Sequence, residues 1–497
     1  MKKLFRAIMF SITFSLIISL FASCSGNGKA NSEQDNSAAV STEEELVPHL
    51  EKRDLDGFEL IILYFSNRDD NYDDCEFNTD ELTGERVNDA FYNRNRAIEE
   101  EYNCKISAIS VTNWGDVTTK VRQSIESGSQ DFHIAAAGIH DICQLAVEGS
   151  LYDLNNLDGS NLALDQIWWD QTAIRDISIA NKLHFVTGDI IITDNEATWA
   201  VYFNKDIIEE LDLEDPFTLV RNGEWTIDKM MEMAKAAKMD RDGDSQMTVA
   251  SNDRWGLLAG TYEGITFMWG CQQSMISKDA NDMPSFRFME TENVNAWQKV
   301  YELVCNGDYT AEGSQYYVWN DPNYHDVFEK NFVNGNALFF PSSIMYVSNA
   351  EMRDADIHYG ILPMPKYDEN QAVYSSSCTV YWATFLTIPI LNNDIDKTTY
   401  VMEAMAYRGY KDVTNEYYEK TLKNKRFEDS DSTEMLDLIF RNRTYDLSAI
   451  YDWGGSLFLY PYMIIDLDPG IAARVEQNIS SYEAEMNETI EAFKAME

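Results

Sequence analysis

The stretch FELIILYF, Phe58–Phe65, is an almost uninterrupted apolar run of strand length. Such a run is typical of a strand that is covered on both faces, as in a parallel sheet. After a polar loop, residues 86–103 keep apolar side chains at helical spacing, and KISAISV (105–111) is again strand-like. DFHIAAAG followed by HDICQLAVEG, between 131 and 149, repeats this order. Strands that alternate with helices predict an open α/β sheet with parallel strands.

A second α/β region begins at WAVYFNKDIIEEL (199–211), which has the pattern of a strand that runs into a helix. EWTIDKMMEMAKAAKM (224–239) predicts a helix capped by Thr226, with a methionine-rich face packed in a core. ALFF, YGILPMP and YWATFLTIP are further strand-like runs, and residues 471–496 keep apolar side chains on one helical face. We therefore expect a second sheet and a long terminal helix.

The composition describes a folded, strongly acidic protein. The chain has 497 residues, of which 44% are hydrophobic, and its formal net charge is −45 from 84 acidic and 39 basic residues. This apolar content supports buried cores. Because the negative field repels phosphate backbones and anionic lipids, we expect no nucleic-acid partner.

The N-terminus has the layout of an export signal. Three basic residues among the first six precede an apolar run from 7 to 21, and FASC ends at Cys24. This end resembles a bacterial lipobox, in which the cysteine is lipidated, although Phe21 stands where leucine is usual. We predict a lipoprotein signal peptide over 1–23, a flexible tether over 24–52, and a lipid anchor at the extracellular face of the cell membrane. The alternative is an ordinary secretory signal with a coincidental cysteine.

Six cysteines remain after Cys24, and none of them has a CxxC or zinc-site spacing. An even number in an exported chain permits disulfides. Cys271 and Cys305 are our candidate pair.

Five phrases stand in one order between residues 141 and 365. They are DICQLAVEGSLYDLN, KLHFVTGD with WAVYFNKDII, EWTIDKMMEMAKAA, FVNGNALFF and YGILPMP. In this order, behind a lipobox-like signal, they resemble the extracellular solute-binding proteins of ABC importers, in the branch similar to maltose-binding protein. The resemblance covers about residues 55 to 400.

The resemblance implies a two-lobed α/β fold of the periplasmic-binding-protein type II class, with a hinge and a ligand cleft between the lobes. We assign residues 53–188 and 341–412 to lobe 1, and 189–340 and 413–497, with the C-terminal helix, to lobe 2. Crossings between the lobes are expected near 186–190, 339–343 and 408–415.

The resemblance implies that the protein binds a ligand and catalyses no reaction. The protein would bind a small solute, an oligosaccharide by its family branch and aromatic supply, and deliver it to ABC permease subunits as a monomer. A peptide or a polyamine is the alternative kind of ligand. A surface polysaccharide hydrolase is the alternative function, since 84 acidic residues could include a catalytic carboxylate pair. However, HExxH, GxSxG, Walker and GxGxxG motifs are absent from the sequence, so we predict that the protein is not an enzyme.

A sugar-binding cleft needs flat aromatic side chains for C–H faces, and carboxylates or amides for hydroxyl groups. Positions after strands and at the crossings are the expected places. Trp453, beside two glycines in a loop, is the favoured stacking residue, and Arg68 could instead recognise an anionic ligand. The predicted ligand-binding residues are Asn67, Arg68, Asp141, Asp189, Trp199, Tyr346, Trp382 and Trp453.

The loop DRDGDSQ, 240–246, has three aspartates at alternate positions, which is how flexible loops surround calcium with carboxylate oxygens. The candidate ligands are Asp240, Asp242, Asp244 and Asp253. Ser245 replaces the second glycine of the resembling loops, and Asp253 lies farther along than a twelve-residue loop would place it. A structural calcium site and a solvated acidic turn both remain open, and no cofactor is required for function.

Overall fold

The computed structural model describes residues 49–66, 77, 81–312, 324–348, 350–417 and 430–496. Cys24, the predicted signal peptide and nearly all of the predicted tether lie outside the described residues. None of the described helices is long and apolar enough to cross a membrane.

Within the described residues, most strands are short and buried, as in small open sheets. The strands are β1 (Phe58–Phe65), β2 (Cys104–Val111), β3 (Ile134–Gly138), β4 (Trp199–Asn204), β5 (Trp255–Ala259), β6 (Ile276–Lys278), β7 (Pro284–Phe286), β8 (Thr310–Glu312), β9 (Ala337–Ser343), β10 (Tyr359–Leu362), β11 (Ser376–Ser377), β12 (Thr384–Thr387) and β13 (Arg443–Thr444).

Helices connect the strands and cover the sheets. They are α1 (Arg86–Tyr102), α2 (Asp116–Ser127), α3 (Ile139–Val147), α4 (Gln171–Ile177), α5 (Thr193–Glu196), α6 (Lys205–Glu210), α7 (Pro216–Asn222), α8 (Ile227–Ala237), α9 (Glu263–Gly270), α10 (Thr291–Cys305), α11 (Tyr324–Val333), α12 (Ala350–Arg353), α13 (Ile395–Arg408), α14 (Ser430–Arg441), α15 (Leu447–Tyr451), α16 (Leu459–Ile465) and α17 (Ile471–Ala495).

The first sheet has the strand order β12–β3–β1–β2. β1 lies parallel to β2 and β3, with Leu60 opposite Ile106 and Ile62 opposite Ile134. β12 closes the other edge antiparallel to β3. The apolar run of β1 is buried over most of its length because it occupies an inner position of the sheet. The predicted strand–helix–strand unit is therefore confirmed.

The second sheet has the strand order β10–β4–β9–β5–β8. β4 runs antiparallel to both β9 and β10, whereas β5 runs parallel to β8 and β9. Helix α8 packs against this sheet, and Thr226 Oγ1 accepts a hydrogen bond from Lys229 N at 3.2 Å, as expected of its N-cap. Two α/β sheets in one chain make the two-lobed α/β fold that the sequence predicts.

One of the three expected crossings between the sheets is misplaced. β9 and β10 both pair within the second sheet, so the crossing predicted near 339–343 and the assignment of residues 341–362 to lobe 1 are wrong. The return to the first sheet comes just before β12, where Thr198 and Cys378 form a bridge between two crossing segments. β9 is buried throughout and β10 over all but its first residue, and such an apolar pattern does not specify which sheet a strand joins.

The C-terminal helix α17 buries the predicted face, including Val475, Tyr482 and Phe493. It was assigned to lobe 2, but it packs against α3 behind the first sheet as well as against α16 and β7. It therefore contacts elements of both lobes.

The five described cysteines are all free, so the predicted pairing of Cys271 with Cys305 is wrong. Cys271 is buried at the end of α9, and this burial raises the pKa of its thiol. It behaves as a small apolar residue of the core.

Candidate functional site

Parallel strands bring their carboxyl ends to one edge of the first sheet. Phe65 ends β1, Trp114 follows β2, and His140 follows β3. β12 is antiparallel to β3, so the residues just before it, Tyr381 and Trp382, arrive at the same edge. We call these five residues the aromatic wall.

Ring contacts hold the aromatic wall together. The Trp114 ring lies 4.7 Å from Phe65 and 5.4 Å, edge to face, from Trp382. His140 and Tyr381 form a second pair at 4.7 Å. Trp114 nevertheless keeps 47% of its surface exposed. A large apolar side chain that is fixed by its neighbours and still open to solvent can stack on a ligand.

Asp141 fixes the loop that carries Trp114. Its carboxylate accepts a hydrogen bond from Gly115 N at 3.3 Å, and its carbonyl oxygen accepts one from Thr118 Oγ1 at 2.8 Å. Gly115 has a φ of +80°, which a side chain would strain. Burial raises the pKa of the Asp141 carboxyl group. Of the predicted site residues, Asp141 and Trp382 thus belong to this edge, Asp141 by positioning the loop.

The segment after β13 closes the wall from the side. His140 Nδ1 lies 3.0 Å from the carbonyl oxygen of Ile450, to which it can donate. Asp452 has a left-handed backbone, with φ of 46°, and its Oδ1 accepts a hydrogen bond from Leu457 N. Burial raises the pKa of the Asp452 carboxyl group, although His140 opposes this. Burial raises the pKa of the Tyr381 hydroxyl group, and the negative charge of Asp452 raises it further. The Asp452 carboxyl group is therefore near the aromatic wall.

The second sheet contributes Trp199, at the start of β4, and Tyr262 and Glu263, just after β5. The Trp199 and Tyr262 rings lie 6.0 Å apart. Burial, followed by the charges of Tyr381 and other groups that include Asp452, raises the pKa of Tyr262. Tyr262 therefore lies within electrostatic range of Tyr381 of the aromatic wall.

Three buried polar atoms in this region have no hydrogen-bond partner among the described residues: Trp199 Nε1, Tyr262 OH and Glu263 Oε2. Burial raises the pKa of Glu263 to about 8, so its carboxyl group is largely protonated at neutral pH. An unpartnered buried polar group costs about 1–3 kcal/mol. Two donors and one carboxyl group without partners beside packed aromatic rings suit a ligand rich in hydroxyl groups.

The other predicted ligand-binding residues lie elsewhere. Asn67 and Arg68 lie outside the described residues. Tyr346 is buried behind the second sheet, edge to face with Phe340 at 5.8 Å. Asp189 lies in the first crossing, where its Oδ1 accepts a hydrogen bond from Thr414 Oγ1 at 2.7 Å.

The interpretation that Trp453 lacks a structural role is wrong. Its side chain is 2% exposed and stacks on Tyr451 with ring centroids 5.3 Å apart. Its Nε1 donates to Thr489 Oγ1 of α17 at 2.8 Å. The ring and its only polar atom are thus both used inside the fold, so we do not include Trp453 in the site.

The acidic loop brings one carboxylate oxygen from each of Asp240, Asp242 and Asp244 within 4.8 Å of the others. Asp240 also accepts hydrogen bonds from Gly243 N and Ser245 N, as an acidic turn does. The calcium hypothesis therefore stays a prediction.

Asp253 does not join the three carboxylates. Its oxygens accept hydrogen bonds from Arg241 N at 2.9 Å and from Thr248 N at 2.8 Å, which ties the two ends of the loop together. The residue braces the loop, and we withdraw it as a metal ligand.

Sequence reasoning missed Trp114, His140, Tyr262, Tyr381 and Asp452. A signal existed for two of them, because Trp114 and His140 each follow a predicted strand within three residues, next to a glycine or one residue from it. Tyr262 follows β5, which the sequence did not predict as a strand. Tyr381 and Asp452 are brought to the site by β12 and by the segment after β13, whose positions depend on the folded chain.

The chain matches the sequence model of a family described as bacterial extracellular solute-binding proteins over residues 95–407. No curated protein sequence matches it. Among solved structures, it is similar to UspC of M. tuberculosis, with 12% identity, a TM-score of 0.56, and coverage of 88% of this chain and 100% of that one.

It is also similar to a sugar transporter of Rhizobium etli in an open conformation, with 13% identity and a TM-score of 0.54 over 88% and 100% of the two chains. A third similar structure is an ABC substrate-binding protein of Listeria monocytogenes in complex with cycloalternan, with 13% identity and a TM-score of 0.50 over 89% and 99%. Identities this low show a shared fold alone.

Proposed function

Since the chain belongs to the family of bacterial extracellular solute-binding proteins, we propose that it captures an oligosaccharide between its two lobes and delivers it to the permease of an ABC importer. The observation that carries this proposal is the half-exposed Trp114, which its ring contacts hold in the aromatic wall. The buried, unpartnered polar atoms of Trp199, Tyr262 and Glu263 on the second sheet support it. Sugars combine flat C–H faces with rims of hydroxyl groups. The aromatic ring can therefore stack on the C–H faces, and the polar atoms can bind the hydroxyl groups.

In this proposal the wall and the second sheet have separate roles. The ligand first stacks on Trp114 and Trp382 at the first sheet. Closure of the lobes then brings Trp199 Nε1 and Tyr262 OH to the ligand hydroxyl groups, and Asp452 accepts a hydrogen bond from another. Because these bonds form only when the lobes meet, the ligand shifts the open–closed population toward the closed form.

The relatives support a sugar over a peptide or a polyamine. One similar structure is described as a sugar transporter and another as an ABC substrate-binding protein in complex with cycloalternan. The proposed setting is the outer face of the cell membrane, with a lipid on Cys24, a monomeric binding protein and the permease as its partner. The protein performs no reaction on the ligand.

Thermal unfolding of the purified protein tests the proposal. The probes are maltotriose, raffinose, cellotriose and xylotriose, with a mixed tripeptide pool and spermidine as the other ligand classes. A ligand at 100 times its Kd adds about 2.7 kcal/mol to the free energy of unfolding, which raises the Tm. We expect at least one oligosaccharide to do so.

The variant Trp114→Ala removes the proposed stacking surface. It should lose the increase in Tm that the sugar causes and keep the ligand-free Tm of the wild type. If only the peptides or spermidine raised the Tm, the sugar proposal would be wrong and the family assignment would stand.

A further inference from the structure

Contacts between α3 and α15 fix where Asp452 lies. His140, near the start of α3, approaches the carbonyl oxygens of Ala449 and Ile450 at 3.3 and 3.0 Å. Cys143 Sγ lies 3.3 Å from the same oxygen of Ile450. Asp452 follows α15 directly, two residues after Ile450, where its left-handed backbone turns the chain. The residue is therefore held beside the His140 end of the aromatic wall.

One oxygen of the Asp452 carboxylate is engaged, and the other is open. Oδ1 accepts the hydrogen bond from Leu457 N at 2.9 Å, which holds the side chain in place. Oδ2 accepts no hydrogen bond from a described residue, and none of the described lysines and arginines forms an ion pair with the group. The side chain is only partly buried. Asp452 thus combines a fixed negative charge with a free acceptor.

The charges on the other side of the wall are also negative. Asp116 and Asp141 flank the loop that carries Trp114, Asp116 in the chain and Asp141 through its hydrogen bond to that loop. Arg122 acts on Asp141 as well. However, its guanidinium group donates two hydrogen bonds to the Glu148 carboxylate, at 3.0 and 2.6 Å, so its charge is already paired.

The second sheet adds no positive charge to the site within the described part of the chain. The strongest electrostatic influences on Tyr262 and Glu263 come from Tyr381, Asp446, Cys378, Asp452 and Glu312. None of these is a lysine or an arginine. An anion bound beside the aromatic wall would therefore meet carboxylates without a cation to pair with.

We propose that Asp452 makes the site select its ligand by charge, so that oligosaccharides of neutral residues bind and sugars that carry a carboxylate, such as uronates, are rejected. This proposal rests on the proposed function, because it names the class of sugar that the same site takes.

The selection has two physical causes. The open oxygen of Asp452 can accept a hydrogen bond from a sugar hydroxyl group, which a neutral sugar supplies on every ring. A uronate would instead bring a second carboxylate close to Asp452. Like charges repel more strongly in a site that excludes water than in bulk solvent, and a desolvated charge without a partner loses its hydration. Both costs apply to the uronate alone, which is how a binding site rejects a wrong ligand.

Calorimetric titration at pH 7 with pairs of neutral and acidic sugars tests the proposal. Each trisaccharide of the thermal panel is paired with a carboxylated counterpart. The pairs are cellotriose with triglucuronate, maltotriose with trigalacturonate, xylotriose with glucuronosyl-xylotriose, and raffinose with its C6-carboxylate. In each pair whose neutral member binds, the wild type should bind the acidic member more weakly by about tenfold or more.

Asp452→Asn removes the charge and keeps the acceptor for Leu457 N, so it should fold as the wild type does. The ratio of the two Kd values in a pair should fall by about threefold or more in this variant. A purely structural role would weaken both sugars alike and leave the ratio unchanged. Asp228→Asn controls for net charge, because it removes an exposed carboxylate that pairs with Lys299, and it should keep the wild-type ratio.

An acidic sugar that bound the wild type as tightly as its neutral counterpart would overturn the proposal and leave the proposed function standing. An unchanged ratio in Asp452→Asn would do the same. Tighter binding of the acidic sugar, lost in Arg68→Ala, would identify Arg68 as the receptor for an anionic ligand that the sequence allows. If no sugar of either kind bound, the proposed function itself would be wrong.

Discussion

Trp114 and Trp453 each stand directly before a glycine. Trp114 is 47% exposed between Phe65 and Trp382. Trp453 is 2% exposed, stacks on Tyr451 and donates a hydrogen bond to α17. The local sequence of the two residues is alike. The difference comes from α17, a helix that begins 18 residues after Trp453 and covers it. The comparison shows that a tryptophan beside a glycine stays open to solvent only where no later element of the chain covers it.

The largest expected effect is on the stability of Trp453→Ala. Removing a buried, hydrogen-bonded tryptophan should lower the free energy of unfolding by about 3–5 kcal/mol. Denaturant unfolding of wild type and variant measures this loss. A variant as stable as the wild type that had lost oligosaccharide affinity would reverse our comparison and return Trp453 to the site.

Trp114→Ala should show the opposite pattern. Loss of a stacking surface should weaken oligosaccharide binding by about 1–3 kcal/mol, because this side chain is fixed for contact with a ligand. Calorimetric titration with the sugar that raises the Tm of the wild type measures the change. Trp114→Phe, which keeps an aromatic face, should recover part of the affinity. Equal affinity in all three proteins would exclude stacking on Trp114.

Tyr262→Phe sharpens the comparison on the side of the second sheet. The hydroxyl group is buried without a partner among the described residues, so its removal should not lower the ligand-free Tm. If the hydroxyl group binds the ligand, affinity should fall by about 0.5–1.5 kcal/mol. A lower ligand-free Tm with unchanged affinity would show instead that the hydroxyl group serves the fold.

The last expected effect concerns the acidic loop, far from either tryptophan in the sequence, and depends on whether the loop binds metal. If the loop binds calcium, Ca²⁺ at ten times its Kd should add about 1.4 kcal/mol to the free energy of unfolding of the wild type. Asp242→Asn should remove most of that increase and leave the Tm in chelator unchanged. The matched control is Asp228→Asn, which removes an exposed carboxylate that pairs with Lys299 outside the loop. It should keep the increase in stability that Ca²⁺ gives the wild type. If Asp242→Asn lowered the Tm equally in chelator and in Ca²⁺, the loop would be an acidic turn without a bound metal.

The parallel strands and the capped helix α8 could be predicted because their signals are local. β1 is an apolar run, and Thr226 stands one residue before the apolar face that it caps. The assignment of β9 and β10 could not be predicted in the same way. Their burial is visible in the sequence, but the sheet that buries them is chosen by pairing with β4, more than 130 residues earlier in the chain.

The candidate site divides in the same manner. Asp141, Trp199 and Trp382 were predicted from their positions at strand ends and crossings. Asp141 and Trp382 lie at the edge of the first sheet that carries Trp114, and Trp199 packs against Tyr262 of the second sheet. His140 looked like an isolated histidine, because its contact with Ile450 joins residues 310 positions apart. Asp452 was missed for the same reason, since its neighbours Tyr381 and Tyr262 belong to two different sheets.

The sequence by itself determined the α/β class, the helix faces and the family resemblance, because apolar spacing and short phrases act within a few residues of the chain. The tertiary structure alone decided which aromatic residues stay open, which carboxyl groups lie beside the aromatic wall, and where the chain crosses between the lobes. Those outcomes depend on burial and charge contributed by distant segments. The free energy of a side chain is set by what surrounds it, and local sequence does not record those surroundings.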